Sequence, residues 1–181
     1  SPRTRAITVV HYGGYPCDMQ PILDLARDHD LRVVEDAAHA VGATYKEKMC
    51  GTIGDVGCFS FFANKNLATG EGGMVVTNDD DLAERIRVMR SHGMTTLTWD
   101  RHRGHGYSYD VTALGYNYRI NEVASALGIV QLRRLAENNA RRKRIAARYR
   151  KMLEGVEGIA CPFSGKVDGE SSHHIFPVVL S

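Results

Sequence analysis

The sequence has little of what marks several classes of protein. Its four cysteines form no C-x-x-C pair, so neither a zinc site nor a disulfide framework is indicated, and we expect reduced, structural thiols. No apolar run approaches the roughly 20 residues that a membrane helix requires, and no signal-peptide pattern opens the chain. The formal net charge of +2 is too small to indicate a nucleic-acid partner. We therefore expect a cytoplasmic protein.

What is present suits a soluble α/β protein, because strand-like and helix-like segments alternate. The expected strands are 6–10, 31–34, a run that ends near Phe59, and 73–77. Helices are expected over about 18–29, with Asp18 as the cap and Met19, Ile22, Leu23 and Leu25 on one side, and after the acids at 78–81. A crossover between parallel strands is nearly always right-handed, which favours one continuous twisted sheet.

Two residues near strand ends carry the chemistry. The run Leu31, Val33, Val34 ends in Glu35 and Asp36, and ligands of open α/β sheets bind beyond the carboxyl ends of the strands. The second residue is Lys65, within FSFFANKNLATGEGG. Its apolar and uncharged neighbours would lower the pKa of the amine and make it a nucleophile.

Either residue alone has an ordinary explanation. Asp36 could be a helix cap or a turn residue, and most lysines beside apolar residues keep the amine in water. Pyridoxal phosphate (PLP) needs the pair, because a lysine holds its aldehyde as an imine while a carboxylate keeps the pyridine nitrogen protonated. The combination of Lys65 and Asp36 therefore favours a PLP site.

Three segments in this order carry a resemblance to a known family: VVEDAAHA (33–40), GDVGCFSFFANKNLATGEGGMVVT (54–77) and GYNYRINEVASALG (115–128). They resemble the PLP-dependent nucleotide-sugar aminotransferases of the DegT/StrS family, and HYGGYPCDMQPILDLARDH (11–29) matches as well. The resemblance implies the second half of a fold type I large domain, a three-layer α/β/α domain with a mostly parallel sheet. This domain would cover 1–153, including a long linking helix, and 154–181 would hold a linker and the first strand of a small domain.

The resemblance also implies a role for individual residues. Lys65 matches the lysine that forms the imine and moves a proton, and Asp36 matches the acid at the pyridine nitrogen. His39 falls near the phenolic oxygen of the cofactor, and Ser60 matches a donor to its phosphate. Asn117 matches an asparagine that reaches the phosphate from the neighbouring subunit, which implies a homodimer with shared active sites.

The expected reaction is amino transfer from an amino acid, by resemblance glutamate, to a keto-sugar attached to a nucleotide. A dehydrating branch of the family has a histidine where this chain has Lys65. Family members are about twice as long, so the chain resembles a fragment. The glycine-rich phosphate cradle would precede Ser1, and we expect the 181 residues alone to be inactive. The alternative function is an inactive PLP-fold scaffold or binding module.

Two other motifs suggest sites that we do not expect. GEGG (70–73) is followed by no Gly-Lys-Ser/Thr and precedes a strand, so it does not fit a nucleotide-binding loop. The segment 91–114 has no clear period, and its histidines 92, 102 and 105 lack a carboxylate or cysteine that would complete a metal site. We expect no metal and interpret 91–114 as a loop that faces substrate or contacts the second subunit.

The last third of the chain predicts a long helix from Asn121 to about Leu153. Its second half (133–151) holds nine Arg or Lys against one Glu, a pattern that nucleic-acid binding could also explain. Apolar residues at helical spacing favour an amphipathic helix with a solvated basic face instead; they are Leu132, Leu135, Ile145, Tyr149 and Met152. A final strand is expected to begin in 173–180.

Overall fold

The computed structural model describes residues 1–95, 110–163, 165 and 168–180. These residues form two compact units, one made of Ser1–Val76 with Glu122–Ser181 and the other of Thr77–Asn121. In chain order the elements are β1 (Ala6–Val10), a 3-10 turn (Tyr12–Gly14), α1 (Met19–Asp28), β2 (Arg32–Asp36), β3 (Thr44–Tyr45), β4 (Lys48–Met49), β5 (Val56–Ser60), β6 (Gly73–Val76), α2 (Asp80–Met89), α3 (Glu122–Leu153), β7 (Ile159–Ala160), β8 (Gly169–Glu170) and β9 (Val179–Leu180).

The main sheet of the first unit has the strand order β1-β2-β5-β6. The first three strands are parallel, and β6 runs antiparallel to β5. The mostly parallel α/β sheet that the sequence predicts is confirmed. The four strands predicted between residues 6 and 77 lie in one continuous sheet, as expected, whereas the two-residue strands form separate antiparallel ladders, β4-β3-β8 and β7-β9.

Helix α1 covers the sheet through Met19 and Ala26, which are both buried. Leu25 is 51% exposed, so its predicted place on the buried side is wrong; the small Ala26 occupies that side. Asp18 stands at the predicted N-cap position, but its carboxylate makes no hydrogen bond to the helix backbone. Instead it accepts a hydrogen bond from the Tyr45 hydroxyl at 2.6 Å, and that hydroxyl accepts one from the Gln20 N–H. Asp18 therefore caps α1 indirectly, through the Tyr45 hydroxyl.

Helix α3 is continuous over the predicted range, yet it packs through different residues than predicted. Leu135 is buried, as expected, but the other four apolar residues of the predicted stripe are between 47% and 62% exposed. The contacts come from a neighbouring stripe that includes polar side chains. Asn139 donates to the Val41 carbonyl oxygen, Arg142 to that of His174, and Arg150 to that of Pro162.

The C-terminal segment forms less strand than the sequence predicts. Only β9 is a strand, and it pairs with β7. Residues 171–178 are irregular, and His173 has a positive φ of 48°. The reason is that this segment is bonded to loops of the first unit and not to a sheet edge.

The second unit contains α2 and the polypeptide on both sides of the undescribed residues 96–109. The Asp79 carboxylate caps α2 by accepting from the Leu82 N–H, and acids fill the first turn as predicted. His92 donates its backbone N–H to Tyr116, whereas the other two histidines of the predicted loop lie outside the described residues. Within the described part of the chain, no helix is long and apolar enough to cross a membrane.

Candidate active site

Asp36 lies at the carboxyl end of β2, between two parallel neighbours. It is paired with Val10 of β1 on one side and with Cys58 of β5 on the other. Its carboxylate accepts a hydrogen bond from the Ala38 N–H at 3.0 Å, which fixes the side chain at the strand end. The structure therefore places Asp36 at the carboxyl edge of the parallel strands, where open α/β sheets in general bind ligands; its contact with a cofactor remains a prediction.

Ser60 ends the adjacent strand β5, two residues beyond the partner of Asp36. Its Oγ accepts a hydrogen bond from the Phe62 N–H at 3.3 Å, so the hydroxyl proton is directed elsewhere and can be donated. The Phe62 carbonyl in turn accepts the Lys65 N–H at 2.9 Å. Ser60 and Lys65 thus belong to one hydrogen-bonded turn at the strand end.

The Lys65 side chain is half-buried, and its charge acts on His39. Burial lowers the pKa of His39, the Lys65 charge lowers it further, and the Asp36 charge opposes the shift. Lys65 and Asp36 are therefore both within electrostatic reach of the same imidazole. Asp36 and His39 lie at the end of β2 and just after it, and Lys65 lies in the turn that follows the adjacent strand β5.

Hydrogen bonding fixes the protonation of the His39 ring. Nδ1 accepts the Gly13 N–H at 3.3 Å, so Nδ1 carries no proton and the neutral ring presents its N–H at Nε2. The Tyr12 and His39 rings meet in an edge-to-face arrangement, with their centroids 5.9 Å apart. The centroids of the His174 and His39 rings are 4.5 Å apart. His39 is therefore a neutral donor held between two aromatic rings.

A buried ion pair lies beneath the site, and sequence reasoning missed it. His11 Nε2 is 2.9 Å from the Glu35 carboxylate, and both side chains are fully buried. Backbone N–H groups of residues 51, 53 and 54 also donate to Glu35, within 2.7 Å. Burial raises the pKa of Glu35, but the hydrogen bonds from His11 and from these amides outweigh it and lower the pKa. Glu35 therefore holds the loop that leads into β5.

The sequence contained a signal for this pair in the alternation of β2. Val33 and Glu35 are buried at 1% and 0% exposure, so they point to the same face of the strand, opposite to Asp36. An acid on the buried face requires a partner. Strand alternation therefore distinguishes the buried Glu35 from Asp36, the acid that is predicted to face the cofactor.

A second missed feature is a polar cluster beside Lys65, made of Asn66, Asn139, Ser172 and His174. Asn66 donates to Asn139 Oδ1 at 2.9 Å and to the Ser172 carbonyl oxygen at 2.8 Å, and its Oδ1 is 3.0 Å from His174 Nδ1. Asn66 and His174 are both at most 9% exposed. No local sequence pattern links these residues, because they come from three distant segments.

Asn117 is described within the second unit, where it is exposed and forms an isolated antiparallel bridge with Ser91. Its predicted contact with a cofactor phosphate in another subunit remains a prediction. No group of three or more metal-ligating side chains is found among the described residues.

Comparisons with known proteins show which family the chain resembles. The model of the DegT/DnrJ/EryC1/StrS aminotransferase family matches residues 1–181. The spore coat polysaccharide biosynthesis protein SpsC of Bacillus subtilis is 46% identical over 97% of this chain and 45% of its own length. The GDP-perosamine synthase of Caulobacter vibrioides is 48% identical over 84% of this chain and 39% of its own length.

Solved structures give the same result. The aminotransferase TlmJ of Streptoalloteichus hindustanus is similar over 100% of this chain and 47% of its own, with a TM-score of 0.90 and 42% identity. The putative sugar aminotransferase Spr1654 of Streptococcus pneumoniae, in its PLP form, is similar over 99% of this chain and 49% of its own, with a TM-score of 0.87 and 27% identity. The chain thus spans about half the length of these relatives. It belongs to the DegT/DnrJ/EryC1/StrS aminotransferase family.

Proposed function

We propose that the whole protein containing this chain is a PLP-dependent aminotransferase that moves an amino group from glutamate to a nucleotide-linked keto-sugar. One observation carries the proposal: Asp36 and Ser60 end neighbouring parallel strands at the carboxyl edge of the sheet, and Lys65 lies in the hydrogen-bonded turn that follows Ser60. The names of the similar proteins support the substrate class, because they include a GDP-perosamine synthase and sugar aminotransferases.

The residues present fit the cofactor. Lys65 would hold the aldehyde covalently, Asp36 would face the pyridine nitrogen, and the Nε2–H of His39 would face the phenolic oxygen. The hydroxyl proton of Ser60 would be donated to the phosphate, which Asn117 would reach from the second subunit of a homodimer. Bound PLP supplies an electron-accepting ring that stabilises charge on the reacting carbon.

The chain's own residues would then move and hold protons. The Lys65 Nζ accepts the proton that the amino-bearing carbon of the donor gives up, and later delivers a proton to the sugar carbon that receives the amine. Asp36 would stabilise the protonated form of the pyridine nitrogen through the attraction of opposite charges. His39 remains neutral because burial and the Lys65 charge both lower its pKa.

Three further parts of the proposal follow from the family. Residues 1–153 would belong to the PLP-binding large domain and 154–181 to the linker and the small domain. The protein would act in the cytoplasm, and the 181-residue chain would be inactive by itself. A scaffold without activity is the second candidate.

The half-reaction with glutamate separates the enzyme from the scaffold. PLP and then glutamate are added to the whole protein, and we expect visible absorbance that glutamate converts to the spectrum of pyridoxamine phosphate. Lys65→Ala should abolish the change, and Asp36→Asn should keep the visible absorbance but slow conversion by roughly a hundredfold. Asp28→Asn, which changes an exposed acid of α1, is the matched control. A spectrum that glutamate never changes would contradict the proposal.

A further inference from the structure

Residues 172–174 are bonded to both loops that line the candidate site. Ser172 donates its N–H to the Gly14 carbonyl and its hydroxyl to the His39 carbonyl, at 3.0 and 2.8 Å. The His174 N–H donates to the Gly13 carbonyl at 2.9 Å. Gly14 has a φ of +88°, and a Cβ there would collide with the Ser172 hydroxyl. The segment therefore lies directly against the turn and the loop that hold His39.

The side chain of His174 continues this contact to the turn that carries Lys65. Both N–H groups of Asn66 are donated, to Asn139 and to Ser172, so Asn66 Oδ1 is the acceptor and His174 Nδ1 is the donor at 3.0 Å. Asn66 directly follows Lys65 in the chain. The bond therefore holds the residue next to Lys65 in the same turn.

The ring of His174 also packs against His39, with centroids 4.5 Å apart and planes inclined by 32°. Burial lowers the pKa of His174, and the neighbouring groups His39, Lys65 and Arg142 lower it further, to about 4. The ring is therefore neutral at neutral pH. A neutral ring supports His39 without repelling the amine of Lys65.

We propose that His174 is a positioning residue of the active site, which fixes the Lys65 turn through Asn66 and the imidazole of His39 through ring contact. The inference rests on the proposed function, because it concerns the reaction of Lys65 with the cofactor. It adds a residue of the C-terminal segment to the site. His174 would contact neither substrate nor cofactor.

Two substitutions separate the hydrogen bond from the ring contact. His174→Phe keeps a ring against His39 but leaves Asn66 Oδ1 without its donor, whereas His174→Asn keeps an N–H donor and removes the ring. Lys143→Ala is the matched control, because it removes only an exposed ion pair between α3 and Glu170 of the C-terminal segment. All variants are made in the whole protein, freed of cofactor.

The main readout is the rate at which visible absorbance develops after PLP is added, with thermal unfolding measured in parallel. We expect His174→Phe to slow this rate about tenfold, the usual effect of one unpaired buried acceptor, and His174→Asn to recover part of the loss. Lys143→Ala should equal the wild type. Wild-type rates in both His174 variants would overturn the inference.

Two further variants keep the outcome interpretable. If His174→Phe does not fold, Asn66→Ala removes the same hydrogen bond from the other side; the same slowing supports the inference and a wild-type rate overturns it. If the wild type develops no absorbance, or Lys65→Ala develops it equally, the proposed function itself fails. If only the inference about His174 is wrong, visible absorbance develops in the wild type, and it develops at the wild-type rate in both His174 variants.

Discussion

At the scale of single residues, neighbouring acids of β2 have different tasks. Glu35 points inward to His11 and to the loop before β5, while Asp36 stays at the sheet edge. Strand alternation produces this division, since consecutive side chains face opposite sides. One acid therefore stabilises the fold beneath the site, and the other remains available for a ligand.

Replacing Glu35 should reveal its structural task. Glu35→Gln leaves His11 and the loop amides without their carboxylate, and we expect a loss of about 3–5 kcal/mol in the free energy of unfolding at neutral pH. Urea denaturation of the whole protein measures this loss. A variant as stable as the wild type would contradict the assignment, and Glu84→Gln, at an exposed acid, is the control.

The same residue predicts a pH dependence. The pKa of folded Glu35 lies below its ordinary value of 4.5, so its stabilisation is complete above that value and is lost as the pH falls through the folded pKa. Stability of the wild type should therefore decrease below pH 4.5 more steeply than that of Glu35→Gln. Parallel acid profiles for the two proteins would contradict this.

The residues that could be predicted from sequence are those whose chemistry is local. Lys65 and Asp36 follow strand runs, and the strand-end rule of parallel sheets places such residues at one edge. His174 could not be predicted in this way, because its partners Asn66 and Arg142 come from distant segments. Only the fold brings them together.

At the scale of elements, the boundaries of α3 were predictable from its periodicity, but its contact face was not. Hydrophobic spacing favours Leu132, Ile145 and Met152, which are exposed, while the polar Asn139 and Arg142 make the contacts. Polar residues can replace apolar ones at an interface when each finds a backbone partner. A pattern of hydrophobicity does not detect such a face.

Replacing Asn139 tests the polar face of α3. Asn139→Ala removes the hydrogen bond to Val41 and the acceptor for Asn66, and we expect a loss of about 1–3 kcal/mol in the free energy of unfolding. Asn138→Ala, at the preceding position of the same helix, should change the free energy of unfolding by less than about 0.5 kcal/mol. Equal denaturation midpoints for the two variants would contradict the polar face.

For the C-terminal strand, unlike α3, the sequence did not predict the boundaries. The sequence of 173–180 favours a strand, but only Val179–Leu180 forms one. Backbone groups of Ser172 and His174 bond instead to Gly13 and Gly14. Long-range hydrogen bonds thus override local strand propensity in this segment.

At the scale of the whole molecule, the proposed homodimer with shared active sites can be tested by mixing two variant subunits. If Asn117 serves the site of the partner subunit, Lys65→Ala and Asn117→Ala subunits together form one site with both changes and one with neither. Mixing the inactive Lys65→Ala variant with the Asn117→Ala variant should therefore restore activity, to about a quarter of wild type for random pairing. Mixed dimers, isolated by two different tags, that regain no activity would contradict shared sites.

The central claim is that the amine of Lys65 binds the cofactor. The most direct measurement is to add PLP to the whole protein, reduce the adduct with borohydride, digest it and locate the modification by mass spectrometry. We expect the reduced adduct on Lys65, and its loss from that peptide in Lys65→Ala. A protein that carries the adduct only on other lysines, or carries none, would contradict the account.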